Sequence, residues 1–426
     1  MAAETTRPIS ETEAARLFAP LQAKPLALAV SGGPDSMAMA ALAARWGGAR
    51  LHALVVDHGL RAGSDAEARI TAARLDKLGL AAAILTLSGL PQTNLHAAAR
   101  TARYDAITDW MAAKGYDVLA TAHHLDDQAE TVAMRLERDR SAGADGIPAQ
   151  GWWADRRLVR PLLGIEKARL RATLDALSVD SIEDPSNDDP RFERARVRSA
   201  LAQGEAATPR AALLEIQKRA ARKAASLDAM AFALASRALR HEGNGIVTLD
   251  VARYAGEAPD IRRRMLRALL RDTGGQTVPP AREKLARLDA GITSLARDGA
   301  EAFSGATLGG CLIARGTGSA RCGTLVISRE LGRMDDTGTV LDAGTAALFD
   351  RRFRIVCDST ITPGTQCRYG GSSAGDEAGL PAAARAAIPV LDSGKDEPCR
   401  LLGGRAGERG VRGAWLGIRF GVHRFA

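Results

Sequence analysis

Two hydrophobic periods alternate along the first part of the chain. Leu26-Ala27-Leu28-Ala29-Val30 is a short all-apolar run, the pattern of a strand buried on both faces. It stops in Ser31-Gly32-Gly33-Pro34-Asp35-Ser36, and helical spacing follows over 37–46. Residues 51–56, 82–87 and 118–121 repeat the strand pattern, and helical spacing returns over 64–78, 94–114 and 125–136. Ser10 with Glu13, and Ser64 with Glu67, have the spacing of capping boxes, which predicts a helix opening at each. Repeated strand–helix alternation predicts an α/β fold, a doubly wound parallel sheet with helices on both faces. Such sheets take ligands at the carboxyl ends of their strands. The polar residues of interest are therefore Ser31–Ser36, Asp57-His58 and those of 122–127.

The pattern then changes. Residues 139–156 read as loop and 165–177 as helix. The polar stretch 183–190 leads into Arg191, Arg194, Arg196 and Arg198. From 209 to 295 the spacing is helical, with Arg262, Arg263, Arg264 and Arg267 on its most basic face. From about 305 short β-like runs alternate with Gly, and 358–380 reads as a loop. The expected domains are 1–205 (α/β), 206–303 (helical, basic) and 304–426 (small, β-rich).

Composition sharpens this picture. A hydrophobic share of 46% with 25% charged residues is that of a globular protein. No apolar run is long enough to span a membrane, and the N-terminus lacks a basic segment followed by an apolar one, so a cytoplasmic location is expected. The net charge of +8 is uneven: residues 1–200 hold 25 Lys+Arg against 26 Asp+Glu, leaving 33 against 24 for 201–426. A basic half beside a neutral one points to a polyanionic partner, most simply nucleic acid. The five Cys all lie in the last third without a Cys-x-x-Cys pair, which argues against a disulfide scaffold or a zinc knuckle.

The string after the first strand carries the chemistry. Gly32 and Gly33 let the backbone approach a ligand closely. The N–H groups of the loop and helix start converge on an anion, and Ser31 and Ser36 add hydroxyls. Asp35 would repel a bare phosphate, and makes sense if it holds Mg²⁺ against one. The Lys of a Walker loop and the spaced glycines of a dinucleotide loop are both missing. Ser31 to Ser36, Pro34 included, resembles the pyrophosphate-binding loop of PP-loop ATP pyrophosphatases, although Pro34 stands where an aliphatic residue is usual. That resemblance implies ATP cleaved between its α- and β-phosphates.

A second set of strings resembles tRNA(Ile)-lysidine synthetases within that superfamily. They are Val56-Asp57-His58-Gly59-Leu60-Arg61; Asn94 through Ala99-Arg100 to Arg103-Tyr104; 121–131, with Asp126-Asp127-Gln128-Ala129-Glu130; Arg160-Pro161-Leu162-Leu163; and Asp184-Pro185-Ser186-Asn187. They stand in the family's order and cover roughly residues 25–200. Residues 138–143 depart from the family's usual turn. The resemblance implies ATP and Mg²⁺ as cofactors and two further substrates, free L-lysine and an isoleucine tRNA with a CAU anticodon. It assigns Asp35, Asp127 and Arg103 to catalysis, and Arg103, Asp127 and Glu130 to lysine. Asp127 and Glu130, three apart on one helix face, suit an ammonium. Arg191, Arg194, Arg196, Arg198, Arg262 and Arg263 are the expected tRNA contacts; a homodimer is admitted but not required. A tRNA sulfur-transfer enzyme would need a Cys near the loop, and residues 1–310 contain none. Amidating synthetases act on free nucleotides and have no use for a basic second half. A non-catalytic RNA-binding protein on the same scaffold would be expected to have lost Asp35 or the Asp127/Glu130 pair.

Overall fold

The computed structural model describes all residues except 1–6, 22–23, 47–49, 60–62, 89–94, 139–143, 184–188, 277, 300–302, 317–322, 333–337, 371–379, 395–397, 403–405, 408–410, 421–422 and 426. Its contacts divide the chain into two compact units, 1–224 and 225–426.

The first unit begins with α1 (Glu11–Phe18), whose Ser10–Glu13 capping box is formed in both directions. Then follow β1 (Leu26–Ala29), α2 (Pro34–Trp46), β2 (Leu51–Asp57), α3 (Ser64–Lys77), β3 (Ala82–Thr86), α4 (Leu95–Lys114), β4 (Val118–Ala120) and α5 (Leu125–Arg138). The hairpin β5 (Gln150–Trp153) and β6 (Arg156–Val159), α6 (Lys167–Leu177) and α7 (Glu193–Gln203) complete it, with the start of α8 (Arg210–Ala238). Strand order is β3-β2-β1-β4-β6-β5; β5 is antiparallel to β6 and every other pairing is parallel. The period-2 alternation of the strands sorts the core. Leu26 and Leu28 join Ala53, Val55, Val118 and Ala120 on one face, packed with Phe18, Met37, Leu75 and Leu170. Ala27, Leu54, Leu119 and Leu158 face the other way, against Tyr104, Ile107 and Met111 of α4.

The chain runs outward from β1 to β2 and β3, then crosses back to β4 on the other side of β1. That reversal opens a crevice at the carboxyl ends of β1 and β4, where doubly wound sheets take ligands. Two local expectations change. Ser64 does not cap α3, whose N-cap is Gly63; its hydroxyl is drawn to Asp57 Oδ1 at 2.6 Å instead. The stretch read as loop over 139–156 contains β5 and ends at the first residue of β6.

The second unit places β7 (Leu239–His241), β8 (Val247–Asp250), α9 (Val251–Ala255), α10 (Pro259–Thr273) and α11 (Arg282–Asp298) ahead of a β-rich stretch. Among the described residues its sheets have five, four, three and two strands. One apolar cluster runs from Ala231 to Ile418, so the helices and the β-rich stretch share a core. Two buried ion networks pin them. Asp272 at the end of α10 accepts from Arg271 and from Arg419, 147 residues away. Burial opposes its ionisation, but the two guanidiniums outweigh it and hold the carboxyl below its usual range. Asp350 accepts from Arg329 and Tyr369, while fully buried Arg352 reaches the carbonyl of Gly245 at 2.8 Å. Four cysteines, Cys311, Cys357, Cys367 and Cys399, are buried and free; Cys322 lies outside the described residues.

Candidate functional site

The loop after β1 is held shut by small side chains. Ser31 N–H donates to Ser36 Oγ at 3.2 Å, and Ser36 Oγ donates to the Gly33 carbonyl at 2.9 Å. Gly32 has φ +87°, and a Cβ there would sit 2.4 Å from Thr71 Oγ1 of α3. Its carbonyl accepts from Ile182 N–H at 2.8 Å, which brings the segment after α6 over the loop. Pro34 opens α2, where a missing N–H costs nothing. The unsatisfied N–H groups of this helix start and its macrodipole favour an anion.

Asp35 stands in the first turn of α2. Its Oδ1 is buried without a hydrogen-bond partner, while Oδ2 lies 3.5 Å from His124 Nε2. The same nitrogen is 3.6 Å from Asp127 Oδ2, and Nδ1 is 3.7 Å from Asp126 Oδ2. Burial works against a charge on this imidazole, but the Asp35 contact and the charges of Asp127 and Asp126 prevail and raise its pKa. Burial likewise opposes ionisation of Asp35; His124 overcomes it, with Lys167 and Arg171 contributing, and the carboxyl lies below its usual range. His124 therefore links the phosphate loop to the helix of acidic residues.

Those residues diverge. Asp126 faces α6 and α8, accepting from Lys167 N–H at 2.9 Å and lying 3.2 Å from Arg210. Asp127 turns inward, caps its own helix through His124 N–H at 2.9 Å, and accepts from Arg194 at 2.7 Å. Glu130 is 3% exposed and accepts from Arg194 Nε at 2.6 Å and Arg198 Nε at 2.7 Å. Both carboxylates are bonded to guanidiniums of α7.

Helix α7, read from sequence as RNA-facing, turns two of its arginines toward these carboxylates. Arg194 and Arg198, one turn apart, point at α5 and are committed to carboxylates. Arg191 pairs with Asp189 and is largely exposed; Arg196 donates to the Pro190 carbonyl at 2.8 Å. Arginines of the expected basic face on α10 also have acidic partners. Arg262 is 13% exposed and bonded to Asp289 at 2.8 Å, and Arg264 is bonded to Asp228 at 2.7 Å. Arg263 pairs with Asp260 at 2.9 Å on the surface. Arg262 and Arg264 are thus held against acids, while the Arg263 pair is exposed.

Arg103 on α4 donates through Nε to His58 Nε2 at 2.9 Å, and its second nitrogen also contacts that atom. Its described hydrogen bonds go to His58, not to Asp127 or Glu130. Burial, then Arg103, depress the His58 pKa to about 4. The ring is neutral, with Nε2 accepting and Nδ1 carrying the proton. Asp57 fixes the turn beneath it, accepting from Gly59 N–H at 2.9 Å. Leu60, Arg61, Asn94 and 184–187 lie outside the described residues.

His58, His124, Asp126 and Arg160 were marked by the sequence but not assigned to catalysis or to a ligand, and Lys167 and Arg171 were not marked at all. The strand-end rule covers the first three and Arg160, which follows β6. Only packing brings Lys167 and Arg171 of α6 near Asp35.

A Mg²⁺ ion fits Asp35 to a limited extent. The orphaned Oδ1 offers one carboxylate ligand, and among the described residues no group of three or more His, Cys, Asp or Glu could cage a metal. That donor set suits an ion held mostly by substrate phosphates and water.

The chain is similar to proteins of known family. The family model of the PP-loop domain matches residues 6–205. A tRNA(Ile)-lysidine synthase of Bradyrhizobium sp. strain BTAi1 is 39% identical over 335 residues, 72% of this chain and 92% of that protein. One from Rhodopseudomonas palustris is 40% identical over 305 residues, 68% and 86% of the two chains. One from Methylobacterium nodulans is 40% identical over 300 residues, 66% and 86%.

Proposed function

Because the chain belongs to the tRNA(Ile)-lysidine synthase family of ATP-using PP-loop ligases, we propose that it joins free L-lysine to C2 of the wobble cytidine of a CAU-anticodon isoleucine tRNA. One observation carries the reading: a single imidazole, His124, stands within 3.6 Å of both the loop carboxylate Asp35 and the cation-holding carboxylate Asp127. Phosphate chemistry and amine chemistry thus meet in one crevice.

The steps follow from that placement. ATP lies with its phosphates on Ser31, Gly32, Gly33, Pro34, Asp35 and Ser36. The base O2 attacks the α-phosphorus, the α–β bond breaks, and pyrophosphate leaves. Asp35 would hold Mg²⁺ through its unpartnered Oδ1, and the ion would supply charge neutralisation for the phosphates. The lysine ε-amine, having lost a proton, attacks C2; the C2–O bond breaks and AMP departs with the oxygen. The product carries lysidine, which changes codon reading from AUG to AUA.

Asp127 and Glu130 hold the lysine ammonium by exchanging it for Arg194 and Arg198, whose guanidiniums occupy the same carboxylates. Arg103, kept cationic beside a neutral His58, faces the lysine carboxylate. Residues 1–205 carry catalysis, while 206–303 and 304–426 hold the tRNA body, Arg191, Arg196 and Arg263 remaining open to phosphate. No helix among the described residues is long and apolar enough to cross a membrane, and the substrates place the enzyme in the cytoplasm. The reading holds for one chain or a pair of chains.

The test is incubation of the protein with ATP, labelled lysine and total bacterial tRNA. Label should enter one isoleucine tRNA with one AMP and one pyrophosphate released, and Asp35→Ala should release none. ATP-independent labelling, or none, refutes the assignment.

A further inference from the structure

Three guanidiniums near the crevice have no carboxylate partner among the described residues. Arg100 and Arg103 lie in the first three turns of α4, and Arg160 follows β6. Arg194, Arg198 and Arg210 close by are all paired with acids. Arg100 is exposed and lies over the ring of Tyr104, 5.1 Å from its centroid. Tyr104 is buried and stacks on Trp153 at 4.6 Å. Arg160 donates one nitrogen to the Pro148 carbonyl at 2.8 Å, and its Nε is buried with no partner.

The charges are close enough to oppose one another. Burial first, then Arg100, hold the guanidiniums of both Arg103 and Arg160 below their usual range. His123, bonded to Thr121 Oγ1 at 2.9 Å, is pushed down to about 3 by burial and then by Arg160, Arg100 and Arg194. It is neutral, as is His58. A half-buried group of like charges destabilises a fold and marks a site that awaits an opposite charge.

We infer that Arg100 and Arg160 seat a backbone phosphate of the RNA beside the nucleotide under attack, with the Tyr104–Trp153 stack as the wall behind it. The inference rests on the function proposed above. ATP phosphates have their own loop after β1, and Arg103 is turned onto His58. Arg100, by contrast, is open to solvent, the side from which a macromolecule arrives. Two guanidinium forks can share the oxygens of one phosphate diester.

The experiment compares wild type with Arg100→Ala, Arg160→Lys and the double variant Arg100→Ala/Arg160→Ala in the full chain. Read are tRNA affinity against salt, KM for tRNA, KM for lysine and the melting midpoint. The double variant should weaken tRNA binding about ten- to a hundredfold. Its log–log salt slope should fall by about 0.7–0.9, one phosphate's worth. Lysine KM should stay within about twofold, on the scale at which one lost charged contact gives tenfold or more. The midpoint should hold or rise as repulsion is relieved. Arg160→Lys keeps the charge but loses the fork, so it should lower affinity with an unchanged slope. Unchanged tRNA affinity and slope in the double variant overturn the inference. So does a rise in lysine KM alone, which would give the cluster to the amino-acid carboxylate. Binding needs no turnover, so these outcomes are separate from wild-type failure to form lysidine, which strikes the proposed function itself.

Discussion

Replacing Arg262 by Ala tests whether α10 is an RNA face or a structural strut. In the structure Arg262 gives Nε to Asp289 Oδ1 at 2.8 Å, a second nitrogen to Oδ2 at 3.2 Å, and a third to the Glu257 carbonyl at 2.6 Å. Asp289 is 7% exposed, and its remaining side-chain donor is the Tyr254 hydroxyl at 2.7 Å. Truncation strands a buried carboxylate, and breaking such a pair from one side costs about 3–5 kcal/mol. The Tyr254 hydrogen bond and the partial exposure of Arg262 place the loss near the lower end, about 3 kcal/mol. For a unit the size of 225–426, at about 2–4 °C per kcal/mol, the melting midpoint should fall by about 6–12 °C. Thermal and urea unfolding followed by circular dichroism measure this, with tRNA binding recorded against salt in parallel. Adding Asp289→Asn should recover much of the loss, because no charge is then left stranded. A variant that melts with wild type while its salt slope falls by about 0.9 would mean that Arg262 touches phosphate, and would refute the strut.

Asp127→Asn and Glu130→Gln should each raise the lysine half-saturation about 10- to 150-fold while leaving that for ATP nearly unchanged; equal effects on both substrates would count against a lysine site. The Asp35–His124 pair gives a defined pH window. The raised imidazole pKa supports stability below its ordinary 6.5 and loses it as pH climbs through the folded value; the lowered carboxyl supports stability above 3.8 and loses it as pH falls through its own folded value. The stability gap between wild type and His124→Gln should therefore be widest between those values and shrink above neutrality, and a gap that grows with pH would reverse the assignment. Gly32→Ala should cost about 1–2 kcal/mol for its left-handed backbone alone and more from the Thr71 clash. Adding Thr71→Ala should restore part of the stability seen in melts, with ATP protection still lost.

What the sequence makes legible here is local. The strands around β1 and the six-residue loop after it show because apolar runs and glycines act within a few positions. Ser64 was misread because the spacing of a capping box cannot reveal Asp57, seven residues back, as the stronger acceptor. The β7–β8 hairpin sits inside a stretch read as helical, yet Gly243-Asn244-Gly245 is a turn signal that was available. Arg194 and Arg198 were visible as one face, four apart. That the face looks inward depends on where α7 lands against α5, 64 to 68 residues earlier in the chain. The same holds for Arg262, whose acid lies on α11.

Asp272 also fixes an order of events during synthesis. At about 5–20 residues per second, the 147 residues between it and Arg419 take roughly 7–30 s to translate. Until then the end of α10 has its carboxylate beside Arg271 alone, and the helices must wait on the ribosome with that corner unlatched. Nascent chains stalled before Arg419 should be cut by protease near α10, and those released just beyond it should resist.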